Sequence, residues 1–345
     1  MKLISSWQAP SNIAIVKYWG KYGIQLPCNP SISLTLQQAK TETKVVAQDP
    51  DSGQDNLQFF LDGERKPGFE PKIWALLQLL GDEFSVWKTK HLRIYSSNTF
   101  PHSAGIASSA SGMAALALCL LEIEFAFRGQ EIDDSFFPTA SRWARLGSGS
   151  ASRSLFGGFV SWGNAPGLNS NLETAAPLPN PVHSVFQGMK DAILLVDQSE
   201  KKVSSTAGHS LMNEHWFAQQ RFKQAEAHTD QLIQILTDGD VEGFIEVAEN
   251  EALSLHAMMM TSSSSYVLMR PNTVAIIEEI REFRKQSGLP VCFTLDAGPN
   301  VHVLYPAAYE ARIQPFVLEL VQRYCAGKWL YDAMGAGPTK SITQL

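Results

Sequence analysis

A run of very small residues, Pro101-His102-Ser103-Ala104-Gly105-Ile106-Ala107-Ser108-Ser109-Ala110-Ser111-Gly112, leads straight into a stretch rich in Ala and Leu. Side chains this small let a ligand reach the backbone. Free N–H groups at a helix start, with the positive end of the helix dipole, can then cradle phosphate, and the serine hydroxyls add donors or a cation ligand. A helix packed closely on its neighbours would need the same small residues. Near the N-terminus, Lys17 and Lys21 stand four apart among Tyr18, Trp19 and other apolar residues, where a charge must be neutralised by internal carboxylates or by an anionic ligand. Gly147-Ser148-Gly149-Ser150-Ala151-Ser152-Arg153-Ser154 is a second small, hydroxyl-rich loop, and its Arg153 carries a fork suited to carboxylate or phosphate. It could also be a plain helix-to-strand turn. Asp296, in Asp296-Ala297-Gly298-Pro299-Asn300, could serve as a base or only cap its turn.

Familiar fingerprints are missing. Gly147-Ser148-Gly149 lacks the third glycine of a dinucleotide loop, and Gly335-Ala336-Gly337-Pro338-Thr339-Lys340-Ser341 lacks the glycine before its lysine that a P-loop requires. Gly208-His209-Ser210-Leu211-Met212 lacks the second glycine of a serine-hydrolase elbow, and no HExxH zinc motif occurs. The eight histidines show no ligand spacing, and His102 and His302 are read as solvated or packed. Met258-Met259-Met260 is read as packing.

These residues need elements to hold them. Ile32 to Leu36 alternates as a strand, Val45-Val46 and Leu57 to Leu61 are further strand candidates, and Ala104 to about Phe127 reads as a buried helix. A second helix is expected from Asp133 to Leu146, a strand from Ser154 to Trp162, and a surface connection from Gly163 to Pro181. Beyond a domain boundary near 185 follow a buried strand, Ala192 to Val196, and a polar helix near Asn213 to Leu236 closed by Gly239. A helix from Asn272 to Gln286 has Asn272 as its N-cap, and Val291 to Leu295 with Val301 to Tyr305 form a hairpin around Asp296. The expectation is an α+β protein with domains 1–185 and 186–345.

The 345 residues, 44% of them hydrophobic and 18% charged, suffice for a sizeable core. A net charge of −6 argues against a nucleic-acid footprint across the surface, leaving room for a local basic pocket. The most apolar run, Met113 to Leu121, is interrupted by Glu122 and Glu124, so no membrane span is expected. Cys28, Cys119, Cys292 and Cys325 form no CxxC pair, which fits a reducing cytoplasm.

Taken together, the segments resemble the mevalonate diphosphate decarboxylases, in the superfamily of galactokinase, homoserine kinase, mevalonate kinase and phosphomevalonate kinase. Ala9-Pro10-Ser11-Asn12-Ile13-Ala14 followed by Lys17-Tyr18-Trp19-Gly20-Lys21 is similar to that family's first block, and Asn98-Thr99-Phe100-Pro101 into Ala104 to Ala110 to its phosphate loop. Arg145 to Ser154 with Gly157-Gly158-Phe159, and Asp296 to Val301, are similar to its third and fourth. The resemblance implies a two-lobed small-molecule kinase-like fold with the site between the lobes, and a homodimer. It assigns catalysis to Asp296, Lys17 and Arg153, and substrate binding to Tyr18, Lys21, Ser148, Ser150 and Ser205, the last within an anion-contacting block from Lys201 whose register is open. ATP falls to Asn98, Ser103, Ala104, Gly105, Ala107, Ser108 and Ser109. Mg²⁺ arrives with the nucleotide, Ser108 being the candidate ligand.

The implied reaction is ATP-dependent decarboxylation of mevalonate 5-diphosphate to isopentenyl diphosphate, ADP, phosphate and CO₂, with no nucleic-acid or membrane partner. Decarboxylation of mevalonate 5-phosphate, phosphorylation of the C3 hydroxyl alone, and a nucleotide-binding regulatory module are the alternatives. Three departures stand out. Lys21 is followed by Tyr22-Gly23 where the family usually has Arg-Asp, Asn-Ser-Ser becomes Asn29-Pro30-Ser31, and a common Gly-Met becomes Gly208-His209. The first predicts a substrate pocket short of one positive charge, with Tyr22 in its place.

Overall fold

The computed structural model describes residues 2–50, 55–101, 108–199 and 205–341. In chain order the main elements are β1 (Leu3–Val16), β2 (Ser31–Gln48), β3 (Leu57–Leu61), α1 (Glu70–Leu80), β4 (His91–Asn98), α2 (Ser108–Phe127), α3 (Phe136–Gly147) and β5 (Phe159–Trp162). They are followed by β6 (Lys190–Leu194), α4 (Ala218–Asp238), α5 (Val241–Thr261), α6 (Pro271–Ser287), β7 (Cys292–Thr294), β8 (Val301–Tyr305), α7 (Glu310–Tyr324), β9 (Trp329–Ala333) and β10 (Thr339–Lys340).

One eight-stranded sheet runs β10-β1-β2-β4-β3 and on to the short strand Glu64–Arg65, with β5 also paired to β2 and Ala176–Pro177 paired to β5. A second, four-stranded sheet has the order β7-β8-β6-β9. The fold is therefore α+β with two lobes. β10 pairs with β1, Trp7 opposite Lys340, and Gly335 N–H donates to Thr35 O at 2.8 Å. The chain thus returns to the first lobe after β9, which a division at 185 does not anticipate.

Small residues set how closely α2 approaches the first sheet: Ala110, Ala114, Ala115 and Ala117 are buried under β1 and β2. By length and composition α2 could cross a membrane, but 67% of its apolar window is buried inside the protein. Its interrupting acids are also held internally, since Glu122 accepts from Ser5 Oγ at 2.6 Å and Trp7 Nε1 at 2.8 Å. A shared apolar core joins the lobes, with Ile13, Ile15, Leu34 and Phe159 of the first packing with Ile193, Leu232, Phe244 and Leu304 of the second. Asp332 on β9 reinforces the junction, its carboxylate accepting backbone N–H groups of Gln37, Gln38 and Ala39 at 2.7–2.8 Å where β2 bends. All four cysteines are free.

Several expectations shift. Residues 149–155 form a short 3₁₀ helix, so the strand expected from Ser154 begins only at Phe159. α4 starts at Ala218 and ends on Gly239, whose φ of 82° is the left-handed cap a glycine takes most readily. α6 takes Pro271 in its first turn, and Asn272, expected as its cap, instead donates to Tyr324 O at 2.8 Å. The Arg270 N–H is satisfied by Thr273 Oγ1 at 3.1 Å.

Candidate functional site

β1 leaves its sheet after Val16, and both sides of the next residue's backbone are clamped. Lys17 N–H donates to Glu251 Oε2 at 2.7 Å, and Lys17 O accepts from Asn29 Nδ2 at 2.9 Å. Its side chain, 2% exposed, donates to Ala14 O and stops 3.5 Å from Asp296 Oδ1. Burial pushes the ammonium below its ordinary pKa, opposed by the nearby carboxylates of Asp296 and Glu251.

Asp296 starts the turn between β7 and β8, an antiparallel pair in which Cys292 faces Leu304 and Thr294 faces His302. The turn is held from below: His256 Nε2 donates to Asp296 O at 3.1 Å, which leaves the buried His256 Nδ1 unpaired. Burial lowers the His256 pKa to about 4, so the ring is a neutral donor. His302, on β8, is packed as expected, with Nδ1 2.7 Å from Asp191 in the core of the second lobe.

Arg153 comes from the 3₁₀ helix that follows α3. Its Nη1 donates to Ser31 Oγ at 2.6 Å and its Nε to Asn12 Oδ1 at 3.4 Å, while the guanidinium lies 5.9 Å from the centre of the Trp162 ring. Those hydrogen-bond partners are neutral, and burial lowers its pKa to about 10. Tyr18 packs edge-on against Trp162 at 4.8 Å, with its hydroxyl buried and unpaired. Gly149 makes room for that hydroxyl, since a Cβ there would sit 2.8 Å from it.

These groups converge. A cavity of about 360 Å³ is lined by Asn12, Lys17, Tyr18, Lys21, Ser148, Ser150, Arg153 and Asp296, together with Gln25, Lys72, Ser109 and His209. Its lining carries four cations, Lys17, Lys21, Lys72 and Arg153, against one carboxylate, Asp296. Lys21 donates to Gln25 Oε1 at 3.1 Å and is lowered in pKa by burial. Lys72 is exposed at the rim of the cavity, and partial desolvation, then the nearby Lys21, lower its pKa as well. Tyr22 is 49% exposed and does not line this cavity, so the expectation that it stands inside the substrate pocket is corrected; Lys21–Tyr22 instead pairs with Leu26–Pro27 as a small hairpin that turns the ring outward.

A second cavity of about 140 Å³ adjoins the start of α2, lined by Asn98, Ser108, Thr41, Thr43, Phe59 and Phe69 among others. Lys72 and Ser109 belong to both cavities. Asn98 Oδ1 accepts from Thr41 Oγ1 at 2.7 Å, and the hydroxyls of Ser109 and Ser148 approach to 3.4 Å. Ser103, Ala104, Gly105 and Ala107, with His102, lie outside the described residues. So does the block from Lys201 to Ser204, while Ser205 begins a six-residue helix, Ser205–Ser210.

Sequence reasoning missed the groups beneath Lys17. Glu251 on α5, fully buried, accepts from Arg221 Nη1 at 3.0 Å and from Nη2, and lies 2.6 Å from His228 Nδ1. Nothing in the spacing of these residues, 30 and 23 apart, signals a cluster. His209 had a signal, because Gly208-His209 is one of the places where the sequence departs from the blocks it resembles.

Comparison with known proteins gives a consistent result. A family described as Diphosphomevalonate decarboxylase-like N-terminal domain matches residues 9–171, and one described as Mevalonate 5-diphosphate decarboxylase C-terminal domain matches residues 192–339. The diphosphomevalonate decarboxylase of Debaryomyces hansenii is 33% identical over 90% of this chain and 81% of its own. The crystal structure of mevalonate diphosphate decarboxylase from Staphylococcus aureus superimposes with a TM-score of 0.85 at 29% identity, covering 99% of this chain and 98% of its own. The structure of MDDEF in complex with MVAPP, AMPPCP and magnesium gives 0.85 at 29% identity over 99% and 100%.

Proposed function

The chain belongs to the diphosphomevalonate decarboxylase family, and from that premise we propose that its cleft carries out the ATP-dependent decarboxylation of mevalonate 5-diphosphate, a carbon–carbon lyase step that supplies isoprenoid precursors. The observation that carries this reading is the lining of the 360 Å³ cavity, in which four cations and one carboxylate face a space suited to a small polyanion.

The chemistry follows from where those groups sit. A tertiary C3 alcohol is a weak nucleophile and its hydroxide a poor leaving group, so the hydroxyl must be both deprotonated and phosphorylated. Asp296, 3.5 Å from Lys17 Nζ, orients the hydroxyl and takes its proton, and Lys17 offsets the negative charge left on oxygen. Arg153, fixed by Ser31 and Asn12, holds the substrate carboxylate that departs as CO₂ when the C3 phosphate leaves. Tyr18, Lys21, Ser148 and Ser150 face the remaining phosphate chain and hydroxy acid, and the helix opened by Ser205 carries His209 of the cleft. The 140 Å³ cavity takes the base of ATP, with Lys72 and Ser109 at its junction with the main cleft placed for the phosphates.

Ser108, at the start of α2, lines the 140 Å³ cavity and would offer its hydroxyl to a Mg²⁺ that arrives on the nucleotide oxygens. Bound there, the cation would neutralise phosphate charge. We also propose that the protein works in the cytoplasm, which its free cysteines support, and as a homodimer, which the resemblance implies and sedimentation equilibrium tests.

The decisive assay measures CO₂ and ADP released from mevalonate 5-diphosphate and from mevalonate 5-phosphate. Stoichiometric CO₂ and ADP from the diphosphate are expected. ADP without CO₂ would make the protein a C3-hydroxyl kinase, and ATP binding without substrate-dependent turnover would make it a regulatory module.

A further inference from the structure

His209 sits on the cleft wall. The ring is clasped between two aromatics, 4.4 Å from Tyr18 and 4.6 Å from Trp19, and the residue is 7% exposed. The clasp depends on Gly208 having no side chain, because a Cβ there would fall 2.6 Å from the Trp19 ring. Gly20 N–H donates to His209 Nδ1 at 3.0 Å. A nitrogen that accepts cannot also carry the proton of a neutral imidazole, so the proton resides on Nε2. With Nδ1 spent on the backbone, Nε2–H is the polar group that the ring offers to the cavity it lines with Tyr18, Lys21 and Arg153.

We propose that His209 is a specificity residue: its Nε2–H donates a hydrogen bond to the phosphate chain at the C5 end of the substrate. The proposal rests on the decarboxylase reading of the cleft. Two features favour a phosphate as the partner. Lys21 and Arg153 beside the ring make the space electropositive. A methionine at this position would offer no donor. Burial first, then Lys21 and Arg153, lowers the His209 pKa to about 3, so the ring serves as a neutral donor at physiological pH.

The test pairs kinetics with a direct view of the ring. With mevalonate 5-diphosphate, His209→Met is expected to raise KM about 10-fold with a smaller change in kcat, the size of one lost hydrogen bond to a charged group, and His209→Gln, which keeps a donor near Nε2, to recover most of it. In ¹⁵N-histidine-labelled protein, Nδ1 should show the shift of an unprotonated nitrogen, and added inorganic pyrophosphate should move the Nε2 resonance. An unchanged KM in His209→Met, a loss that Gln does not restore, or a protonated Nδ1 would overturn the proposal. If the unmodified protein releases no CO₂, the decarboxylase reading fails, and the pyrophosphate titration still decides whether Nε2 meets phosphate.

Discussion

Two groups of buried charge meet at Lys17, and they are built to opposite rules. Below its backbone, Glu251 and Arg221 spend their charge on each other, with His228 Nδ1 against the same carboxylate and both terminal guanidinium nitrogens engaged, though Arg221 Nε stays without a partner among the described residues. Above it, among the described residues, Arg153 has only neutral hydrogen-bond partners, Lys21 reaches only Gln25, and the Tyr18 hydroxyl is unpaired. Burial is nearly equal in the two places, since Arg221 is 3% and Arg153 2% exposed. What differs is whether each buried charge has an opposite charge bonded to it. A compensated cluster fixes the fold, whereas an uncompensated one is kept for a partner that arrives from outside.

The strongest way to break this contrast is to remove the anion of the compensated cluster. Glu251→Gln leaves Arg221 buried without a counter-charge and should cost about 3–5 kcal/mol in denaturant unfolding, with turnover falling because the Lys17 backbone loses its anchor. The pH dependence has a definite sign. Burial alone would raise the Glu251 pKa, but His228, Arg221 and the Lys17 N–H together hold it below its ordinary 4.5. With the folded pKa below the unfolded one, its contribution is fully present above about pH 4.5 and fades as pH falls through the depressed value. Glu251→Gln should lack this acid-dependent loss. A variant as stable as the parent would place the lobe junction elsewhere.

Next in size is the chemical step. Asp296→Asn keeps the shape of the turn and the His256 contact to its carbonyl while removing the base, so turnover should fall by at least about 10²-fold while substrate affinity is largely kept. Single-turnover and equilibrium binding measurements separate the two, and near-normal turnover would move the base to another group.

The two clusters also differed in how readable they were. The Asp296 turn was visible because Gly298 and Pro299 punctuate two short apolar runs, and the Lys17 and Arg153 segments because small or aromatic residues surround an isolated charge. Helix α6 was legible from Ile276, Ile280 and Phe283 on one face, with Gly288 after it. Helix α5 was harder to read, because Glu249, Glu251 and His256 are buried along with its apolar residues and the exposed polar stripe narrows to Glu242, Glu246 and Asn250. Arg221 and Glu251 look in sequence like ordinary surface charges, and only the packing of α4 on α5 shows that they are a pair. β1 was obscured by Ser5, Ser6 and Pro10, whose polar or imino groups make sense only beside α2 and β2.

A smaller effect sharpens the contrast from the ligand side. Inorganic pyrophosphate at ten times its dissociation constant should stabilise the protein by about 1.4 kcal/mol in thermal unfolding. At the same concentration Arg153→Met should lose most of that gain, and a conservative change remote from the cleft such as Arg323→Lys should keep it. Equal protection of parent and Arg153→Met would mean that pyrophosphate binds outside the cation-rich cavity.

The smallest expected effect is the most diagnostic, because it concerns the protein with nothing bound. Arg153→Met removes a buried charge that has no carboxylate hydrogen-bonded to it, and relief from desolvation favours the variant. Against this, Ser31 Oγ and Asn12 Oδ1 each lose a donor, at about 1 kcal/mol apiece. Asn12 keeps its bond from Nδ2 to Ser154 Oγ at 2.8 Å, so it is not set loose. The opposing contributions are of similar size, and unliganded stability should shift by less than about 1 kcal/mol while decarboxylation is lost. A destabilisation comparable to that of Glu251→Gln would show Arg153 to be a structural charge like Arg221, and the distinction between the two clusters would collapse.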